Sequence, residues 1–106
     1  MNKTYSYDDV LLVPQYSEIR SRSEIDISSD LGRGVKLQLP ILASPMDTIS
    51  ETAMAAAMTK AGAAAIVHRY NTIDVQAHHV SRVSIPSIIG GAIGVAGDYL
   101  ERASAL

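Results

Sequence analysis

Residues 40–48 constrain the fold of this chain more than any other stretch. An apolar run of Ile41, Leu42 and Ala43 stops at Ser44 and Pro45, and a helical pattern begins a few residues later. A short continuous apolar run is what a strand buried on both faces of a parallel sheet presents. Proline cannot donate to a ladder and biases the residue before it toward extended backbone, so pairing is expected to end at Ser44. Thr48 and Glu51 have the spacing of a capping box, in which the hydroxyl accepts from the Glu51 amide and the carboxylate reaches back to the Thr48 amide. In parallel α/β proteins ligands bind outside the carboxyl ends of strands. The loop carrying Ser44, Met46, Asp47 and Thr48 is therefore the first candidate site.

Strand and helix patterns alternate from residue 40 onward. A helix is expected over residues 51–61, with Met54, Ala57, Met58 and Ala61 at helical spacing and Gly62 in the C-cap position. A second buried strand over residues 63–67 ends at His68, Arg69, Tyr70, Asn71 and Thr72. Either of the last two can cap a helix whose Ile73, Ala77, Val80 and Val83 share a face. Pro86 blocks that helix. A third strand follows over residues 88–95, loosened by Gly90, Gly91 and Gly94, and then a helix over residues 98–106 with Tyr99, Leu100, Ala103 and Leu106 on one side. Three βα units in succession predict a parallel α/β fold with right-handed crossovers.

Residues 1–39 form a separate amino-terminal segment, and residues 40–106 carry the three βα units. In the first segment an apolar run of Val10, Leu11, Leu12 and Val13 is closed by Pro14, and residues 16–23 are polar. Ile25 and Ile27 alternate with polar residues, as do Val35, Leu37 and Leu39, with Gly32 and Gly34 around Arg33 between them. Residues 24–39 thus read as a hairpin, either a plug for one end of the fold or a surface ribbon.

Charge and composition exclude several functions. Nine Lys and Arg are scattered along 106 residues with a formal net charge of −2, without the clustered basic face of nucleic-acid binders. No apolar run approaches the roughly 18 residues of a membrane span, and the amino terminus has no apolar leader, so a cytoplasmic, unanchored protein is expected. The absence of cysteine excludes disulfides, thiolate metal sites and cysteine nucleophiles within this chain. Arg69, Asp98 and Glu101 lack metal-ligand spacing. His78 and His79 point about 100° apart on a helix, which makes them a poor metal pair. Gly90, Gly91 and Gly94 fall in a strand pattern without the Gly-Lys-Ser/Thr ending of a phosphate-cradling loop.

Two motifs in order carry a resemblance. Ser44-Pro45-Met46-Asp47-Thr48 resembles the signature after the first barrel strand of IMP dehydrogenases, and Tyr7-Asp8-Asp9-Val10-Leu11-Leu12-Val13-Pro14 resembles that family's amino-terminal segment. GMP reductases share the barrel but commonly show Lys where Asp8 stands and Asn where Ser44 stands, so both positions lean toward the dehydrogenase. The resemblance covers residues 4–106 and implies the amino-terminal part of a TIM (β/α)8 barrel. Such a barrel takes about 250 residues, so the chain reads as less than half of one, cut inside a helix pattern. Many dehydrogenases insert a regulatory CBS module roughly where Ser84 to Ser87 stand; the few residues there imply a barrel without it, by nature or by deletion.

The resemblance also implies the chemistry. The complete enzyme would oxidise inosine monophosphate to xanthosine monophosphate with NAD, in guanine nucleotide synthesis, through a cysteine adduct at the purine C2, hydride transfer and hydrolysis. The nucleophile, the mobile flap with its Arg-Tyr pair and the potassium site would lie beyond Leu106. This chain alone is expected to be inactive, and the family assembles as homotetramers. Ser44 and Met46 match substrate-pocket positions; without the family, Met46 is a gap-filling apolar residue and Ser44 a strand end. Asp47 is expected to hold its loop by accepting backbone N–H bonds or to pair with a basic residue rather than to catalyse. His68 and Arg69 match a His-plus-basic pair in the next loop, which reads otherwise as a solvated polar turn, while Tyr70 departs from the usual Asn or His. GMP reductase, with NADPH, and a non-catalytic remnant that self-associates remain the alternatives.

Overall fold

The computed structural model describes residues 2–83 and 87–106. Its organising feature is a parallel three-stranded sheet in the order β3 (Leu42–Ala43), β4 (Ala64–Val67), β5 (Ile89–Gly91). Helix α1 (Thr52–Lys60) connects the first pair of strands and α2 (Ile73–Ser81) lies between the second pair, so each parallel pairing spans a helix as chain direction demands. Helix α3 (Tyr99–Ala105) packs on α2. The result is a mixed α/β arrangement with three βα units, as the alternating patterns predict.

Strand β4 is the centre of the core. Ala64, Ala65 and Val67 are buried, and α1 packs on both β3 and β4. The register sets Ile66 opposite Gly90, where a Cβ would come within 2.8 Å of Ile66 Cδ1; the glycine leaves the room that the isoleucine fills. α1 ends in a Schellman motif. The Gly62 amide donates to the Thr59 carbonyl at 2.9 Å and the Ala63 amide to the Met58 carbonyl at 3.0 Å, with Gly62 at φ +77° as its expected C-cap role requires. Thr72 caps α2, its hydroxyl accepting from the Val75 amide.

Several expectations are corrected. Ile41 and Leu42 are half exposed rather than buried on both faces, because β3 pairs with β4 alone and stands at the sheet edge. The hairpin is much shorter than residues 24–39: β1 (Ser29–Asp30) pairs antiparallel with β2 (Lys36–Leu37) across the Gly32, Arg33, Gly34 turn. Ile25 and Ile27 are exposed and form no strand. A single-turn helix at Arg22–Glu24 and an Asp26 carboxylate that accepts the Ser28 amide at 2.8 Å draw that backbone into local turns instead. On α1 the buried residue is Ala55, while Ala57 and Ala61 face solvent. On α3 Leu100 and Ala103 are exposed and Arg102 is buried. β5 is three residues long, not eight, because its partner β4 ends at Val67, opposite Gly91, and Gly94 at φ +78° lies in the loop that follows. The block at Pro86 and most of the bridge over residues 84–87 lie outside the described residues.

Candidate functional site

Two loops meet at the carboxyl ends of β3 and β4. In the first, Pro45 ends the strand and the Met46 carbonyl accepts from the amides of Ile49 (3.2 Å) and Ser50 (2.9 Å). Ser50, 1% exposed, closes the turn: its hydroxyl donates to the Ser44 carbonyl and accepts the Met46 amide at 3.2 Å. Satisfied from beneath in this way, the loop turns the side chains of Pro45, Met46, Asp47 and Thr48 outward. The capping box does not form. Thr48 sits at φ +60° in the turn, α1 starts at Thr52, and Glu51 in the N-cap position makes no side-chain cap bond. Its carboxylate turns to His68.

His68 ends β4 and is 1% exposed. Its amide donates to the Ser50 carbonyl at 3.3 Å, which ties the second loop to the first. The Nε2 atom lies 3.1 Å from Glu51 Oε1, and Nδ1 accepts the Tyr70 amide at 3.1 Å. His79 approaches the same carboxylate oxygen from α2 at 3.9 Å, while its Nδ1 meets the Thr52 hydroxyl at 2.9 Å. The Tyr70 ring stacks on His68 with centroids 6.1 Å apart and planes 25° from parallel. Tyr70 therefore stands beside Pro45, Met46 and Asp47, and the four line an open groove of about 460 Å³.

The candidates named from sequence are divided by this geometry. Met46 and Asp47 line the groove; Ser44 lies behind it as a backbone acceptor; Thr48 forms the turn. His68 lies under the groove rather than in it. Arg69 points toward the third loop, its guanidinium against Gly94 and 5.9 Å from the Tyr70 centroid. Tyr70 is the lining residue that the motif comparison set aside.

A polar network that sequence reading missed anchors the same end of the sheet. Gln76, fully buried on α2, donates its amide to the Val67 carbonyl at 3.2 Å and to the Ala92 carbonyl at 2.9 Å, joining the ends of β4 and β5. Arg102 donates to Gln76 Oε1 at 2.9 Å, to the Asn71 carbonyl at 3.1 Å and to Asp98 at 2.8 Å. The bond from Arg102 holds the Asp98 carboxyl below the usual carboxylate range. Periodicity held the signal: Gln76 lies three residues after Ile73 and four before Val80, on the apolar stripe. Among the described residues no cluster of three or more His, Cys, Asp and Glu is placed to hold a metal, and no helix is long and apolar enough to cross a membrane.

Comparisons with known proteins identify the family. The model of the IMP dehydrogenase / GMP reductase domain matches residues 4–106. Inosine-5′-monophosphate dehydrogenase of Nitrosopumilus maritimus is 46% identical over 78 residues, 74% of this chain and 16% of that protein. GMP reductase of Leishmania donovani is 44% identical over the same shares. The crystal structure of inosine 5′-monophosphate dehydrogenase from Legionella pneumophila superposes with a TM-score of 0.79 at 37% identity, over 93% of this chain and 30% of the other. The chain thus spans about a sixth of the curated relatives' length. With the family model covering nearly every residue, this chain belongs to the IMP dehydrogenase / GMP reductase family, a family of oxidoreductases.

Proposed function

We propose that this chain forms the first three βα units of a (β/α)8 barrel, preceded by the amino-terminal segment of residues 1–39, and contributes part of the purine nucleotide pocket of an IMP dehydrogenase. The observation that carries this reading is the groove of Pro45, Met46, Asp47 and Tyr70 at the carboxyl ends of two adjacent parallel strands. One apolar thioether and one aromatic ring beside a carboxylate suit a planar, polar-edged base. Asp8 and Ser44 favour the dehydrogenase, which oxidises inosine monophosphate with NAD. The similar identity to named GMP reductases keeps the reductase as the second reading.

The glycines of β5 do not form a phosphate-cradling turn. Gly90 and Gly91 lie within β5 against the Ile66 and Leu106 side chains rather than in a turn. By the family resemblance, the potassium ion and the cysteine nucleophile belong to later parts of the barrel, NAD binds against the far side of the purine, and a homo-oligomer in the cytoplasm is the expected setting. The test is a titration of the chain with inosine monophosphate followed by amide chemical shifts. Shifts concentrated on residues 44–48 and 70 are expected. Met46→Ala should weaken binding about five- to thirty-fold, the worth of a partly buried Met side chain. A spectrum unmoved by the nucleotide overturns the reading. Reading the coding sequence past residue 106 for the flap's Arg-Tyr pair separates dehydrogenase from reductase, and a cysteine-bearing loop or an in-frame stop there separates either enzyme from a non-catalytic remnant.

A further inference from the structure

We propose that Glu51 is a positioning residue: through the buried ring of His68 it fixes the backbone of Tyr70 and so the aromatic wall of the groove. Donors and acceptors fix the tautomer of the ring. An amide can only donate, so His68 Nδ1, 3.1 Å from the Tyr70 nitrogen, must accept and carries no proton. The ring hydrogen then sits on Nε2, where Glu51 Oε1 receives it at 3.1 Å. In the opposite tautomer Nδ1–H faces the Tyr70 N–H and a bare Nε2 faces a carboxylate, so both contacts fail together. With 1% of the residue exposed, His68 has these two contacts in place of bonds to solvent.

The position of Glu51 supports this assignment. As the N-cap residue of α1 it makes no side-chain cap bond, and the stabilisation that Ser, Thr, Asp or Asn would bring there is forgone. The carboxylate instead turns 17 residues along the chain to His68, with His79 bounding it on its other side at 3.9 Å. His68 in turn carries Tyr70 twice, by the amide bond and by the stacked ring at 6.1 Å. Glu51 does not line the groove, yet the one ring that does line it is set by the chain Glu51, His68, Tyr70. Only the nucleotide readout below rests on the proposed function; the tautomer readout stands without it.

The experiment uses the ¹⁵N-labelled chain and the imidazole nitrogen shifts of His68, which separate protonated from bare ring nitrogens. The wild type should show Nε2 protonated and Nδ1 bare. Glu51→Ala, which leaves the Nε2 hydrogen without its carboxylate acceptor, should move the Nε2 resonance and raise the exchange rate of the Tyr70 amide by about two- to tenfold, the equilibrium worth of one hydrogen bond. Glu51→Gln, whose carbonyl still accepts, should restore both, whereas Glu51→Met, which fills similar space without an oxygen acceptor, should restore neither, the reverse of what a packing role of residue 51 requires. Inosine monophosphate should bind Glu51→Ala more weakly by a similar factor. A wild-type ring protonated on Nδ1, or a Glu51→Ala spectrum with His68 and Tyr70 unchanged, overturns the proposal. If Glu51→Ala does not fold, Glu51→Gln decides: Nε2 protonated supports the relay, Nδ1 protonated overturns it. A wild type that shows the expected tautomer and binds no nucleotide supports the relay and removes the nucleotide reading.

Discussion

Gly62 and Thr48 both occupy left-handed backbone, at φ +77° and +60°, and only one of them is a glycine. Such a conformation costs a residue with a Cβ about 1–2 kcal/mol. At Gly62 a Cβ would also come within 2.9 Å of Gln38 Cβ, in the segment whose Gln38 and Leu39 amides both donate to the Gly62 carbonyl. Gly62→Val should therefore lower stability by about 2 kcal/mol or more, read as a shift in the denaturant midpoint. Thr48→Gly should do the reverse by a smaller amount, under about 1 kcal/mol, since relief of strain is offset by the extra freedom of glycine in the unfolded chain. The first role was legible because a glycine after a helix pattern has one common use. The second was hidden because Thr48 and Glu51 imitate a capping box, while the bond that Glu51 makes goes to His68, a residue no local pattern connects with it.

At the scale of elements, helix and strand positions followed from periodicity, but the buried faces did so only in part: Met58 packs on the core and Leu106 against Gly91, while Ala57, Ala61, Leu100 and Ala103 are exposed. Counting apolar residues places Tyr99, Leu100, Ala103 and Leu106 inward; the structure buries Arg102 instead, because its guanidinium finds Gln76, the Asn71 carbonyl and Asp98. A charge is tolerable inside when paired and fully bonded, and such pairing is invisible to a hydropathy count. The same network makes a strong prediction. Gln76→Leu removes the acceptor for Arg102 and the donor for the Ala92 carbonyl at nearly constant volume, and should cost about 2–4 kcal/mol, measured by equilibrium denaturation. Asp98 adds a pH dependence of known sign. Its folded carboxyl is held down chiefly by the bond from Arg102, so its contribution is present above about pH 4, the ordinary aspartate value, and is lost as pH falls through the lowered one. Asp98→Asn should flatten the acid side of the stability profile, and an unchanged acid limb would show that this pair does not couple to folding.

At the scale of the molecule, the apolar surface is distributed unlike that of a closed globule. The radius of gyration is 17.7 Å, against about 13 Å for a compact chain of this length. The buried core is mostly alanine, Ala55, Ala63, Ala64 and Ala65, which removes little apolar area from water. Meanwhile Tyr7, Leu11, Leu12 and Tyr16 in the amino-terminal segment are 97%, 95%, 98% and 88% exposed, and Ile41 and Leu42 are half exposed at the sheet edge. Exposed apolar groups in this number drive association, and β3 and β5 each have a free pairing edge among the described strands. The chain in isolation is therefore expected to self-associate with a concentration-dependent sedimentation coefficient. Leu11 and Leu12 make the cleanest test, since their exposure means that replacing them takes little from the chain's own core. Each Leu buried between copies is worth about 1.5–3 kcal/mol, so Leu11→Ser with Leu12→Ser should weaken association by roughly a hundredfold or more while leaving the far-ultraviolet circular dichroism spectrum as it was. Sedimentation of the wild-type chain as a single monomeric species at all concentrations would show that the exposed segment folds back on its own chain in solution.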